Sequence, residues 1–505
     1  MSHSENNKRI AKNTLMLYFR MIVVTLVSLF TVRIILRILG IVDFGIYNVV
    51  GGVVGFLGML NGTMVSATQR FLTYELGKGD LKQFNRVFSM LMIIFLSLSV
   101  ILFFIAIALG SWVVNYFLVI PPQRLNVALW LYYFSVVTFI FSLISIPYMS
   151  SIVANEKMNI YAYVSLIEVV LKLLLVYCLY ISTYDKLLTY GFLTMLVTLF
   201  VTLVYRIYCV RKLSGCNFKL YWDRLLFKEL IGYTSWNLFG SVTSILNNQG
   251  QSIILNIFFG PVVNAAKAIA DKINAVFVSF SNNFYMAVRP QIIKSYAQGD
   301  LDNMFSLVYK SSKFSFYLLF VLTLPLIILM KSVLQLWLGQ TTNDMIIFSQ
   351  LVLVFSLVNV FEQPITVMIQ STGKIRNYEI VIGSITLILI PLSYLAFKFG
   401  APAYYSMIIL IFIYIVAHFF RLYIAKKQLG MSIGYYCRYI FVPIIFSSIP
   451  SLFICLVLSR TMPIGSVVGI ILFVLSSFGI SLISILLLGL NNSERLIFIS
   501  KLKRK

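Results

Sequence analysis

The sequence has few charged residues and almost no histidine. Charged residues make up 11% of its 505 positions, Asp and Glu together number 16, and the two histidines are His3 and His418. A soluble domain usually carries about 25% charged residues. The composition therefore excludes an ordinary soluble fold, and two isolated histidines argue against a histidine-based metal site or nucleophile.

Motifs for nucleotide and metal chemistry are also absent. The five cysteines are scattered without CxxC spacing, so they indicate neither a metal site nor a disulfide framework. No GxxxxGK[ST] or HExxH sequence occurs, which excludes ATP hydrolysis at a P-loop and HExxH zinc chemistry. We expect no cofactor and no metal. Any energy-requiring function must then draw on an ion gradient, the membrane potential or a substrate gradient.

Apolar residues are abundant instead. They make up 60% of the chain, and the mean hydropathy is +0.94. Apolar runs of 18 or more residues are typical of helices that cross a bilayer. The sequence contains about fourteen such helices, from 14–38 to a last pair at 439–459 and 463–489. No segment alternates in polarity as a membrane-barrel strand does, so the sequence predicts an all-α polytopic membrane protein.

Basic residues account for the net charge of +24. With the N-terminus in the cytoplasm, most Lys and Arg fall in cytoplasmic loops and helix ends, as the positive-inside rule requires. This distribution predicts an inner-membrane protein with both termini in the cytoplasm, and it explains the charge without nucleic-acid binding. We expect the basic tail to contact anionic lipid; it contains Lys501, Lys503, Arg504 and Lys505.

An internal repeat has an offset of about 220 residues. Gly79-Asp80-Leu81 recurs as Gly299-Asp300-Leu301, and Gly40 recurs as Gly260. Repeats of this length mark duplicated structural units, and an even helix number gives both copies the same orientation in the membrane. We predict two six-helix lobes with the substrate between them, followed by a helix pair and a basic tail. The expected boundaries are 1–215, 216–428 and 429–505.

A polar stripe runs along the predicted eighth helix, 262–288, and just beyond it. It contains Asn264, Lys267, Asp271, Asn274, Asn282 and Arg289, which share one helix face. Lipid cannot hydrate these groups, so the face must look into protein or water. Two interpretations remain open: a buried Lys267–Asp271 pair that joins helices, or the wall of a water-filled cavity. The repeat places Asn48 and Arg70 at matching positions on the second helix.

Other polar residues lie within predicted spans. Arg20 in the first helix either lines the cavity or reaches back to the membrane surface. Glu168 and Lys172, four residues apart, form either an internal ion pair or a protonatable site. Glu362 stands beside a proline, and a carboxylate at a kink is a candidate for ion coupling. The polar run at 247–250 either breaks the seventh helix or bonds neighbouring helices.

The balance of intramembrane charge is cationic. Such a cleft suits an anionic group, and phosphate or pyrophosphate matches arginine and lysine well. The predicted substrate-binding residues are Arg20, Asn48, Arg70, Lys267, Lys272, Asn274 and Arg289. The candidates for coupling to Na+ or H+ are Glu168, Lys172, Asp271 and Glu362.

Several N-terminal segments resemble a known family. They are Asn13-Thr14-Leu15, Leu39-Gly40, the run from Asp43 to Val50, the run from Ser66 to Phe71, and the run from Gly77 to Asp80. These segments are similar to the bacterial polysaccharide (O-antigen) flippases of the multidrug/oligosaccharidyl-lipid/polysaccharide exporter superfamily. The specific match covers roughly the first 90 residues, and the helix count and duplication extend it over the chain.

The resemblance implies a pair of six-helix lobes, alternating access, and an undecaprenyl-pyrophosphate-linked oligosaccharide as cargo in lipopolysaccharide synthesis. In lipid II flippases of the same superfamily, a first-helix arginine and cationic eighth-helix residues line the cavity. Arg20 and Lys267 or Lys272 stand in comparable places. We expect a monomer that contacts membrane lipids and other polysaccharide assembly proteins.

Two other functions compete with this one. A drug or organic-cation antiporter of the same fold needs a net acidic cleft, which the sequence does not show. A membrane glycan polymerase or glycosyltransferase needs a catalytic carboxylate or arginine on an external loop. There the carboxylates are Asp43, Asp185 and Asp344, all on short turns.

Overall fold

The protein is all-helical in the computed structural model. The structure describes residues 3–58, 61–112, 114–115, 120–338, 341–462, 466–491 and 494–495, and these contain no β-strand. The first six helices are α1 (His3–Gly58), α2 (Asn61–Lys78), α3 (Leu81–Trp112), α4 (Leu125–Ala154), α5 (Met158–Ile181) and α6 (Lys186–Lys212).

The second half of the chain continues the helical order. Eight helices follow: α7 (Arg224–Ala297), α8 (Leu301–Ile328), α9 (Met330–Leu338), α10 (Asn343–Asn359), α11 (Glu362–Ser371), α12 (Arg376–Leu387), α13 (Leu389–Lys398) and α14 (Tyr405–Leu429). The last three are α15 (Ile433–Tyr436), α16 (Val442–Thr461) and α17 (Val467–Ser484).

The helices are long and apolar enough to make this an integral membrane protein. Ten helical segments of the described chain meet the length and hydropathy expected of membrane spans, and they include the two-part segments α10–α11 and α12–α13. α1 and α7 each add two arms that are joined at a kink. The ten spans and these four arms make fourteen segments, in agreement with the number predicted from the apolar runs; the shorter α2 and α9 are not counted among them.

A glycine forms the kink in both long helices. Gly40 in α1 has φ 75° and ψ 172°, and Gly260 in α7 has φ 75° and ψ −171°. A Cβ atom is strongly hindered at these angles, so the position requires glycine. The two kinks are separated by the 220-residue offset that the sequence predicts.

The repeated Gly-Asp-Leu motif ends one helix and begins the next. Gly79 and Gly299 have φ angles of 78° and 75°, the left-handed conformation that often follows a last helical turn. Asp80 and Asp300 each accept a hydrogen bond from the backbone N–H three residues later. Each aspartate thereby satisfies a free donor in the first turn of α3 or α8. The motif has the same structural role in both copies, which confirms the duplication.

The helix boundaries in the second copy differ from the prediction. The sequence predicts separate helices at 229–259 and 262–288, whereas α7 begins earlier, ends later and is interrupted in its φ/ψ angles at Gly260. The predicted ends were placed where polar residues begin. Those residues continue the helix because it extends beyond the apolar layer.

The polar run at 247–250 does not break α7. Asn248 accepts a hydrogen bond from the Lys267 ammonium at 3.3 Å, and the Gln251 amide donates to the Ser406 carbonyl at 3.2 Å. These side chains bond to groups outside their own turn of helix and do not compete for the backbone groups beside them. The backbone of α7 therefore stays helical through this run. Of the two interpretations of this run, the structure supports bonding between neighbouring segments.

The chain forms two compact units. The first comprises Met1–Leu238 and Ile293–Gly299, and the second comprises Phe239–Ile292 and Asp300–Lys505. Helices α1, α4, α5 and α6 enclose an apolar core in the first unit, and α7, α10, α13 and α14 do so in the second. α16 and α17 belong to the second unit, where both pack against α8. The predicted boundaries 1–215, 216–428 and 429–505 stay predictions.

Candidate functional site

Two of the predicted site regions of the first unit come together around Arg20. Its guanidinium carbon lies 4.6 Å from the centre of the Tyr161 ring on α5. Tyr205 on α6 is buried within electrostatic range of both Arg20 and Glu168. Two turns further along α5, the Lys172 ammonium donates to the Glu168 carboxylate at 2.7 Å. We call these five residues the Arg20 cluster.

The Arg20 cluster has a surplus positive charge. Glu168 is paired with Lys172, and no described carboxylate lies within ion-pair distance of Arg20. The Arg20 Nε–H is buried without a hydrogen-bond partner among the described residues. An arginine held by an aromatic face keeps its planar donors available for an anion. The cluster can therefore bind phosphate oxygens.

Arg70, a predicted substrate-binding residue, is enclosed by aromatic rings. Its guanidinium carbon lies 4.5 Å, 5.1 Å and 5.2 Å from the ring centres of Phe71, Tyr74 and Tyr233. The Glu229 carboxylate is 3.9 Å away. Such an arrangement holds α2 against the start of α7 in the first unit. A substrate-binding role for Arg70 stays a prediction, and the side chain of Asn48, its predicted neighbour, lies outside the described residues.

The predicted stripe on α7 begins with a buried ion pair in the second unit. Lys267 is only 1% exposed and donates to the Asp271 carboxylate at 2.6 Å, while Asp271 is 41% exposed. The ammonium also reaches the Asn248 amide. Lys267 and Asp271 therefore form an ion pair, and Lys272, the next residue after Asp271, is an exposed cation. Substrate-binding roles for Lys267 and Lys272 stay predictions. The side chain of Asn264 lies outside the described residues.

The rest of the stripe bonds to α10 and α11. The Asn274 amide oxygen accepts a hydrogen bond from the Ser356 hydroxyl at 2.9 Å. At the other end of the stripe, Arg289 donates to the Gln370 amide oxygen at 3.1 Å. Lys267 and Arg289 are separated by about 33 Å along the helix, roughly the thickness of a bilayer core. The stripe therefore has a length comparable to the bilayer core, with hydrogen bonds to α10 and α11 near its middle and at its far end.

The predicted kink at Glu362 separates α10 from α11, and a buried ion pair stabilises it. The Arg421 guanidinium on α14 donates to the Glu362 carboxylate at 2.7 Å, and its Nε–H lies 3.4 Å from the Tyr378 hydroxyl. Arg421 is only 2% exposed. The Tyr414 ring lies 5.9 Å from the guanidinium, and the Glu379 carboxyl is buried nearby. We call Glu362, Tyr378, Glu379, Tyr414 and Arg421 the Arg421 cluster.

Sequence reasoning missed Arg421 and Glu379. Both stand near the ends of predicted spans, where charged residues normally face the membrane surface. The sequence gives no signal for either residue, because Arg376 stands three residues before Glu379 and offers it an ordinary helical partner.

A neutral pocket lies beside the break between α10 and α11. It has a volume of about 40 Å³, which is room for about three water molecules. Its walls are Phe277, Val278, Ser281, Asn282, Tyr285, Leu319, Ser356, Asn359, Val360 and Gln363. The Tyr285 hydroxyl donates to the carbonyl that the break frees at Val360, at 2.5 Å. The Asn359 amide oxygen is buried without a partner among the described residues, so the pocket has unused hydrogen-bonding capacity.

The fold is similar to that of solved MATE transporters. No family model matches the sequence, and a search of curated proteins gives no match. An outward-facing multidrug resistance MATE family transporter of the MOP superfamily has a TM-score of 0.73 at 13% identity, covering 84% of this chain and 96% of that chain. A MATE structure in the straight conformation has a TM-score of 0.70 at 13% identity, with the same coverage.

A third structural neighbour has a binding pocket of reversed polarity. A MOP superfamily transporter from Pyrococcus furiosus has a TM-score of 0.71 at 12% identity, covering 84% of this chain and 96% of that chain. Its description says that a reversed polarity of its binding pocket suggests a different function. Together with the helix order and the duplication, these similarities show that the chain has the MATE fold.

Proposed function

We propose that the protein is a flippase for a lipid-linked oligosaccharide in the bacterial inner membrane. It moves an undecaprenyl-pyrophosphate-linked oligosaccharide from the inner to the outer leaflet by alternating access, as a monomer with both termini in the cytoplasm. The MATE fold supports a transporter, and the substrate class follows from the charges of the polar clusters.

The pairing of charges within each unit carries the proposal. Glu168, Asp271 and Glu362 each accept a hydrogen bond from a cation at 2.6–2.7 Å. These pairs cancel the carboxylates that an organic cation would need. Arg20 and Lys272 have no carboxylate partner in the described parts of the chain. The remaining charge is therefore positive, and it suits a pyrophosphate group.

The neutral pocket has room for a hydroxyl group of the substrate or about three waters, and it is too small for a sugar ring. Asn282 and Gln363 are exposed amides, and Asn359 has a free acceptor beside them. Amide groups of this kind bind hydroxyl groups.

A drug antiporter is the second candidate, because structural neighbours include a multidrug resistance MATE family transporter. This function needs a carboxylate that is ionised and unpaired when a cationic drug arrives. The three carboxylates named above are paired, and the Glu379 carboxyl is buried against Gly240, where a bulky cationic drug has no room. The charge pattern therefore favours the glycolipid. The fold alone fits either substrate equally.

Headgroup translocation in liposomes tests the proposal. Purified protein is reconstituted with a labelled undecaprenyl-pyrophosphate oligosaccharide, and ethidium efflux is measured in parallel. We expect glycolipid movement above that in protein-free liposomes, without ethidium efflux. Efflux without glycolipid movement contradicts the proposal and supports the antiporter.

A matched pair of variants tests the anion site. Arg20→Ala removes the unpaired guanidinium, and we expect at least a tenfold loss of translocation rate. Arg37→Ala removes an exposed arginine of the same helix, and we expect it to retain the wild-type rate. Equal rates for both variants contradict a substrate role for Arg20.

A further inference from the structure

Glu379 on α12 is a buried carboxyl next to a glycine of α7. The residue is 7% exposed. A Cβ atom built at Gly240 would stand 2.1 Å from its Oε2 atom. Gly240 has an ordinary helical backbone, so the turn itself does not require glycine. The missing side chain leaves the room that the carboxyl occupies.

The Glu379 carboxyl makes no hydrogen bond or ion pair to any residue that the structure describes. The nearby Arg421 guanidinium is bonded to Glu362 and to the Tyr378 hydroxyl instead. An unpaired carboxylate away from water is costly, and such groups take up a proton. The geometry is therefore that of a neutral carboxylic acid beside a completed ion pair.

The repeat gives this position a counterpart in the first unit. Gly240 is equivalent to Arg20 at the offset of 220. Tyr378 is equivalent to Tyr161 at an offset of 217. The turns before these two tyrosines support this offset, because each has a residue with positive φ, Glu156 in the first unit and Gly373 in the second. The first unit has the unpaired Arg20 cation at this position. The second unit has Gly240 there, which carries no side chain, and the Glu379 carboxyl occupies the space.

We propose that Glu379 is the proton-carrying residue that couples transport to a proton gradient. This inference rests on the proposed transport function. In the described conformation the carboxyl holds a proton. When α12 and α7 separate enough to admit water, the acid ionises, one proton passes to water, and the carboxylate remains until a proton returns from the other side.

A proton fits this site better than Na+ does. Sodium needs several oxygen ligands, but α7 presents Phe239, Gly240 and Thr243 toward α12. The Arg421 guanidinium would repel a metal cation at the carboxyl. The titratable and charged groups that act on Glu379 are Glu362 on α11, Tyr378 on α12 and Arg421 on α14. Arg376 precedes Glu379 by three residues on α12.

Two glutamine variants separate a proton carrier from a structural carboxylate. Glu379→Gln resembles the protonated acid, so we expect normal folding and thermal stability. Glu362→Gln leaves the buried Arg421 without its carboxylate, so we expect a clear loss of stability. A Glu379→Gln variant that unfolds as readily as Glu362→Gln overturns the proposal.

Infrared spectroscopy tests the proton site without any substrate. The purified protein near neutral pH should show a carboxylic-acid C=O band that disappears in Glu379→Gln and persists in Glu168→Gln. A band that Glu379→Gln leaves unchanged overturns the proposal. If Glu379→Gln lacks the band but wild-type protein moves no glycolipid, the proton site is supported and only the proposed flippase function is contradicted.

Transport under imposed gradients completes the test. We expect a pH gradient to accelerate glycolipid translocation by wild-type protein at least fivefold, and to have no effect on Glu379→Gln. A sodium gradient should leave both unchanged. Acceleration of Glu379→Gln by the pH gradient, or of wild-type protein by sodium alone, contradicts Glu379 as the proton carrier.

Discussion

The buried Lys313–Glu494 pair should be one of the strongest single attachments of the C-terminal helices. The Lys313 ammonium on α8 donates to the Glu494 carboxylate at 2.7 Å, and Lys313 is 0% exposed. The Tyr439 hydroxyl donates to the other carboxylate oxygen at 2.6 Å, and the ammonium lies 4.9 Å from the Tyr439 ring centre. Substitution of Lys313 by Met therefore leaves a carboxylate in a site with little water.

The expected magnitude follows from that burial. Removal of one partner of a buried pair typically costs about 3–5 kcal/mol. If the second unit unfolds like a domain of 150–250 residues, the transition temperature falls by roughly 6–20 °C. The matched control is Lys172→Met in the Glu168–Lys172 pair, whose side chains are 32% and 42% exposed. An i,i+4 pair of this kind is worth about 0.3–0.5 kcal/mol where water reaches it.

The assay is thermal or chemical unfolding of detergent-solubilised protein, read by tryptophan fluorescence. The double variant Lys313→Met/Glu494→Gln should recover most of the loss, because it leaves no uncompensated charge. A coupling energy between the two positions of at least about 2 kcal/mol is expected. If Lys313→Met is as mild as Lys172→Met, the reasoning from burial is refuted.

The same pair predicts a pH dependence. Burial raises the pKa of Glu494, but hydrogen bonds from Lys313 and Tyr439 outweigh it, so the pKa lies below its ordinary value of 4.5. A lowered folded-state pKa adds stability above the unfolded-state pKa, and this stability is lost as the pH falls through the folded value. We expect the stability of the wild-type protein to fall below about pH 4.5, with a weaker decline in Glu494→Gln. An identical decline in both proteins contradicts the assignment.

Three further predictions concern local structure and are measured by the same unfolding assay. Gly260→Ala should lower the free energy of unfolding by about 1–3 kcal/mol because its backbone angles suit only glycine. The control Gly232→Ala, at an open helical position, should raise it by up to about 1 kcal/mol, and equal effects refute the kink argument. Asp185→Ala should cost about 0.5–2 kcal/mol, because Asp185 accepts two backbone N–H bonds at the start of α6, and a neutral result contradicts the cap. Gly77→Ala should cost about 1–3 kcal/mol because its new Cβ would stand 2.6 Å from that of Ala297, and an unchanged stability shows that the two helices can move apart.

The sequence predicts the helical architecture well because a membrane span is recognised from a local run of apolar residues. Apolar runs give the helix order, and the repeated glycines give the duplication. The least accurate boundaries are those of α7. Its polar ends continue as helix beyond the apolar run, so hydropathy stops before the helix does.

The candidate site is predictable only where its contacts are local. Lys267–Asp271 and Glu168–Lys172 are four residues apart on one helix, and both pairs form. Arg421 is separated from Glu362 by 59 residues. Tertiary packing alone brings such residues together, and no spacing rule in a single sequence indicates it.

The two copies of the repeat have kept the same helices and changed their chemistry. The first copy places an arginine over Tyr161, at 4.6 Å from its ring. The second copy has glycine at the equivalent position, and the Glu379 carboxyl occupies the space. Equal clusters in both copies would give two anion sites or two proton sites. The transporter that we propose, which moves an anionic headgroup at the expense of a proton gradient, uses one of each, and the divergence of Arg20 and Gly240 would supply that difference without altering the fold.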